Sequence, residues 1–522
     1  MTARRHLYSL LPPIAFIVLA TVRPALAADP QKLADTIDSL FAEEWKKQKI
    51  TPSQIVDETG FLRRLSLDLT GVIPPAMEVV RFIKDRKLGR RHRKIEAILG
   101  SSAYSQNFAE VWSRILLGRV GIGRGASRAA LESWLRFAFG SNMPYNEFVR
   151  ELVSAGGRSD ENGATNYILG HNLDVKNVAG NSAAVFLGIQ IRCAECHNHP
   201  MEKWTQRDFW GYAAFFAQMR RTNSGMGRMQ TAVLGDTNRG EAVMKIHNGG
   251  SETVPPKLLN GQPIQSRSSR PRRQILADYL ADKENSYVAR SFVNRMWHHF
   301  FGRGIVNPID DLGESNPPIM PDLLDELTKQ FVSSDFDIKF LIRGIVLSKA
   351  YQRSSTVTKS NVEDRDYFSH ALLRMMTPEQ LFRSLLQAMG ENDEERFWHP
   401  QRLRQLQDRF MSQFIFAFAN DENEVVENFQ GTIPQALMLM NGRFITDGIK
   451  VNSKRNLGKF VEQFKGSDRI ELLYLTTLSR RPNGFERDDA KRHIRNNRKD
   501  PNAAYENLFW SLLNSSEFLF NH

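Results

Sequence analysis

The chain has 522 residues, 70 Lys and Arg against 58 Asp and Glu, a net charge of +12, and a hydrophobic share of 41%. That share is ample for globular packing, and the length is too great for one core, so two or three domains are expected. Lys and Arg are interleaved with Asp and Glu along most helical stretches, which argues against a dedicated nucleic-acid site and for solvated faces.

Arg4 and Arg5 precede an apolar stretch from Leu7 to Val22 that ends near Ala25, Leu26 and Ala27. Residues 1–27 therefore read as a cleaved secretory signal, and the stretch, broken by Pro12 and Pro13, is shorter than the roughly 20 residues that span a bilayer. Loss of Arg4, Arg5 and Arg23, with no acid removed, takes the charge from +12 to +9. No later segment is apolar enough to cross a membrane, so the mature chain is expected in the periplasm or secreted, without a transmembrane span.

Helical periodicity dominates the remainder of the chain. Asp29 and Pro30 form a cap and first turn ahead of Leu33, Ile37, Leu40, Phe41 and Trp45. Phe61, Leu62, Leu65 and Leu69 form a second stripe that ends at Gly71 before Pro74 and Pro75. Further helices are expected over 76–100, 104–117, 129–139 and 144–154, and a buried helix from Val175 to Arg192. Between 222 and 270 Gly, Ser, Pro and Arg dominate, with segments such as Glu241–Ile246 patterned as the small strands of one hairpin. Periodicity resumes at Ile275 and continues through Phe300, Leu323–Val332, Ile338–Tyr351, Tyr367–Met376 and Pro378–Met389 to a last helix around Leu508–Leu513. The expected fold class is mainly α: helical domains over 28–221 and 271–522, joined by an irregular connection over 222–270.

Cys193, Ala194, Glu195, Cys196 and His197 contain both cysteines of the chain and have the spacing that attaches a c-type haem. In that reading Cys193 and Cys196 form the thioethers and His197 is the proximal iron ligand. The sixth ligand is not assigned: His199 and Met201 follow too closely, and His171, Met219, Met226, Met229 and His247 have no distinguishing spacing. The same residues also fit a short-range Cys193–Cys196 disulfide, or a metal such as zinc held by the two thiols with His197 and His199. The export signal favours haem, because such motifs are loaded outside the bacterial cytoplasm, where bare thiols oxidise.

The aromatic run Trp204, Phe209, Trp210, Tyr212, Phe215 and Phe216 reads as core ahead of a porphyrin wall. Asp310, Asp311 and Glu314 before Pro317 and Pro318 read as a polar turn with capping aspartates, and His298 and His299 as one core-facing and one solvent-facing residue. The acidic run Asp421–Glu427 reads as a solvated face.

The runs FLRRLSLDLTGVIPP from Phe61, FLGIQIRCAECHNHPMEKWTQRDFWGYAAFF from Phe186 and FVNRMWHHFFGRGIVNPIDDLGESNPP from Phe292 are long and specific. With them the chain resembles the planctomycete cytochrome-c-associated proteins, in which domain-of-unknown-function family 1549 is followed by family 1553. The resemblance implies an exported bacterial c-type cytochrome or cytochrome-associated protein without an established reaction; the cysteine motif itself adds the expectation of one haem c, in electron transfer or small-ligand chemistry with a redox partner protein. Relatives commonly add an N-terminal cytochrome c domain with its own haem motif, whereas these residues carry the one motif at Cys193 and are expected to hold at most one haem, and a histidine after the paired prolines, where this chain has Ile319 and Met320. The alternative is a non-catalytic helical binding or scaffold protein of the cell envelope.

Overall fold

The structure, a computed structural model, describes residues 28–119, 121–224, 231–246, 249–262, 269–390, 415, 440, 442–452 and 455–522. Among these residues the chain is mainly α-helical, with three small antiparallel sheets. No described helix is long and apolar enough to cross a membrane.

Local rules account for most helix ends. Helix Pro30–Gln48 starts where the Asp29 carboxylate accepts from the Gln31 amide at 2.9 Å, and it buries Leu33, Ile37, Phe41 and Trp45. Helix Glu58–Thr70 is capped by Asp57 and ends at Gly71, whose left-handed φ of 70° returns its N–H to the Leu67 carbonyl. The expected helix over 76–100 is two helices, Ala76–Lys84 and Arg90–Leu99. Between them Asp85 accepts from the Lys87 amide at 2.9 Å and Gly89 adopts φ 72°.

Tyr367–Met376 is not a helix. The Asp364 carboxylate accepts from the amides of Asp366, Tyr367 and Ser369 at 3.1, 2.8 and 2.9 Å, replacing helical bonds with a side-chain-supported turn. The strand Arg374–Met375 then pairs antiparallel with Phe520–Asn521, which docks the end of the chain. The connection holds more strand than one hairpin. Thr231–Asp236 lies between Met219–Ser224 and Gly157–Arg158, and Ala242–Lys245 pairs with Ser251–Val254.

Two apolar clusters hold the chain together. The larger takes residues from both sides of the connection, uniting Phe41, Trp112 and Phe186 with Phe292, Trp297 and Leu341; the rings of Tyr145 and Phe292 stack at 3.9 Å. The smaller joins Leu67 and Ile73 to Phe382, Leu473 and Phe509. Helix Glu58–Thr70 contributes to both.

That helix also carries buried charge. Asp68, 1% exposed, accepts two bonds from Arg374 at 2.8 and 3.0 Å, one from Tyr351 Oη at 2.8 Å and one from Asn521 Nδ2 at 2.7 Å. Arg63 donates to the carbonyls of Thr477 and Phe518 at 2.9 Å each, and burial pushes its pKa down to about 10. The expectation that one of His298 and His299 faces solvent fails. Both are half-buried: His299 Nε2 donates to the Asp68 carbonyl at 2.9 Å, while burial pushes His298 down to about 3.

Asp68→Ala leaves the Arg374 guanidinium without its carboxylate and is expected to cost about 3–5 kcal/mol in urea unfolding, whereas Asp85→Ala on the surface should move the urea midpoint far less.

Candidate functional site

The cysteine turn is delivered by a helix that changes pitch. Helix Val175–Ser182 begins on Asp174, whose carboxylate accepts from the Lys176 and Asn177 amides at 3.0 Å, and runs into a π-turn over Ala183–Leu187. The expected helix to Arg192 stops at Gly188, φ 67°, where a Cβ would lie 2.6 Å from the Leu312 side chain. The Leu312 amide donates to the Gly188 carbonyl at 2.8 Å, so this exit is shaped by a loop more than a hundred residues away.

Ile191–Glu195 then forms a 3₁₀-helix. With three residues per turn, positions three apart share a face. Ile191 and Ala194 are buried, and Cys193 and Cys196 are exposed, with their thiols unbonded. The turn is held from below. Trp210 Nε1 and Gln206 Nε2 each donate to the Glu195 carbonyl at 3.1 Å, and the Glu195 carboxylate pairs with Lys176 at 2.8 Å.

The histidines near the turn differ in tautomer. His197 Nδ1 lies 2.7 Å from the Asn198 carbonyl, which only accepts, so Nδ1 carries the proton and the exposed ring offers the Nε2 lone pair. His199 is the reverse. Its Nδ1 accepts from the amides of Glu202 at 2.9 Å and Met201 at 3.3 Å, closing the turn around Pro200, so its proton sits on Nε2.

Of the sixth-ligand candidates, His171 donates from Nε2 to the Leu116 carbonyl at 2.9 Å and is held below the usual histidine pKa by burial. Met219 packs against the main core and Met201 is exposed. Met226, Met229 and His247 lie outside the described residues, as does the acidic run Asp421–Glu427. Trp204, Phe209, Tyr212, Phe215 and Phe216 are buried core residues, with Trp210 half-buried beside them. Among the described residues no group of three or more His, Cys, Asp or Glu is placed to hold a metal ion.

Asp310, Asp311 and Glu314 do not cap a helix. Their loop grips the cysteine segment: Gln190 Nε2 donates to Asp310 at 2.9 Å, and Lys203 pairs with Glu314 at 2.7 Å. The Glu202 carboxylate accepts from the Ser315 amide at 2.9 Å, the Ser315 hydroxyl and the Glu314 amide at 3.3 Å. A Cβ on Gly313 would fall 2.1 Å from Glu202 Oε1. Sequence reading missed Glu202 and Gly313 as partners, and no local signal marks a pairing across more than a hundred residues.

These features define a mainly α protein in which an exposed Cys-Ala-Glu-Cys-His turn of the first half is clasped by a loop of the second. Residues 36–221 match the family model PSCyt2, described as a protein of unknown function (DUF1549), and residues 272–402 match PSD1, a protein of unknown function (DUF1553). The chain belongs to the two-domain family in which a DUF1549 segment is followed by a DUF1553 segment. Comparison with curated proteins and with solved structures gives no match.

Burial, and then the charges of Glu202 and Asp310, raise the Asp311 pKa. A raised folded-state pKa makes ionisation of Asp311 a cost to the fold, full above that pKa and absent below the unfolded value. Asp311→Asn is therefore expected to raise the urea midpoint at pH 7, with the gain vanishing as pH falls through about 4.

Proposed function

We propose that this chain is an exported protein carrying one covalent haem c, with Cys193 and Cys196 as thioether positions and His197 as proximal ligand. The observation that carries the reading is the turn itself. Both thiols stand exposed and unbonded beside a histidine whose Nδ1–H is tied to a carbonyl and whose Nε2 is left as a ligand. His199 and His171 hold the opposite tautomer, which supports His197 as the axial residue.

A haem c at this turn would supply a one-electron couple, or an iron site for a small ligand. The chain's own part is positioning. Trp210 and Gln206 fix the Glu195 carbonyl, so the 3₁₀ turn keeps Ile191 and Ala194 inward and the thiols outward. Glu202, clasped by the 313–315 loop, holds the segment just after His197. Because the neighbouring aromatics are spent on the core, the haem would stand at the surface, open to a partner redox protein or a small reactant. Export through residues 1–27, to the periplasm or beyond, belongs to the same reading, since it brings the thiols to the compartment where attachment takes place.

Protein purified from its own host, or from cells with haem-attachment machinery, is expected to show a Soret band, a pyridine haemochrome spectrum and a haem mass that persists in denaturant. Cys193→Ser/Cys196→Ser should be colourless, and His197→Ala should keep the covalent mass while its spectrum changes. A colourless product two hydrogens lighter than the reduced chain would overturn the proposal in favour of a disulfide-stapled scaffold.

A further inference from the structure

Residues 81–94 are the most basic short stretch near the surface of the first half, with eight Lys and Arg against one acid, Asp85. The structure divides these cations into two sets. Arg90 and Arg91 pair with Glu58, Arg93 with Asp85 and Lys94 with Glu78. These brace helix Arg90–Leu99 against its neighbours. Arg81, Lys84, Arg86 and Lys87 are exposed and make no ion pair among the described residues.

The second observation is apolar. Leu88 is 97% exposed at the tip of the turn between the two helices, one residue before Gly89. Met77, 59% exposed, precedes Arg81 and Lys84 by four and seven residues on the helix whose Val79 and Phe82 are buried, so all three lie on its outward face. The Leu88 side chain is therefore spared from the core while its carbonyl is held by Arg93 Nη1. Leucine presented to water at a braced tip, flanked by unpaired cations, has the chemistry of an interfacial anchor: the cations meet lipid phosphates and the side chain enters the acyl boundary.

We propose that the Met77–Leu88 surface docks on an anionic phospholipid membrane, with Arg81, Lys84, Arg86 and Lys87 at the headgroups and Leu88 inserted. A nucleic acid would use the same charges, but its phosphate backbone gives Leu88 nothing to enter. The reading is independent of haem attachment, because none of these residues belongs to the cysteine turn.

The test is co-sedimentation of the full protein with phosphatidylcholine vesicles, with and without phosphatidylglycerol. The readout is the ratio of anionic to neutral binding, compared between wild type and variants that share the same Arg4–Arg23 segment. Wild type is expected to favour anionic vesicles, with the preference falling steeply in high salt. Lys84→Gln/Arg86→Gln/Lys87→Gln should lower the ratio about a hundredfold, and Leu88→Ser should weaken vesicle binding severalfold while leaving binding to double-stranded DNA unchanged. Thermal unfolding of each variant should match wild type, as these side chains hold no partner. No preference for anionic vesicles, or a preference untouched by both variants, overturns the proposal; salt-sensitive DNA binding without vesicle binding overturns it in favour of a polyanion.

Discussion

A carboxylate sealed from water and met by one partly exposed guanidinium is a constraint that much of this structure is arranged around. Asp68 sits on a helix of the first half, and its acceptors are filled by Arg374, Tyr351 and Asn521, all from the second. Its neighbours reach the second half as well: Arg63 donates to the Thr477 and Phe518 carbonyls and Arg64 to the Tyr351 carbonyl, although Arg63 Nε and Arg64 Nη2 are buried without a hydrogen-bond partner. Burying such groups is costly unless every lone pair and proton finds a partner, so the chain segments that supply the partners are fixed relative to one another. The helix Glu58–Thr70 is thus a hub, with Leu62 and Leu65 in one apolar cluster and Leu67 in the other.

The cysteine turn depends on the same kind of long-range agreement. A π-turn and a left-handed glycine end the helix early, and the Leu312 amide secures the exit. The 3₁₀ segment then sorts its residues by threes, apolar inward and thiol outward. A loop carrying Asp310, Gly313 and Glu314 closes over the segment after the cysteines, so the site belongs to both halves of the chain although its motif belongs to one. Matching of the two family models in tandem is consistent with that shared construction.

Local chemistry was legible where it acts alone. Asp29 before Pro30 and Gly71 after Leu69 mark helix ends by capping, and the structure places helix ends at both. The same local reading failed over Tyr367–Met376. There the Asp364 carboxylate takes three amide protons, an outcome that competes with the helix and leaves the apolar spacing intact. Asp310 and Glu314 likewise read as a turn because their partners, Gln190 and Lys203, lie more than a hundred residues earlier.

By itself the sequence determined the mainly helical class, the caps at Asp29 and Gly71, the tandem family arrangement and the grouping of both cysteines beside His197. These depend on side-chain spacing and on bonds within a few residues. Only the tertiary structure decided that Cys193 and Cys196 face outward, that His197 and His199 hold opposite tautomers, and that the second half grips the turn. Those outcomes depend on which distant carbonyls, amides and carboxylates meet, and a buried polar group accepts whatever partner the packing brings to it.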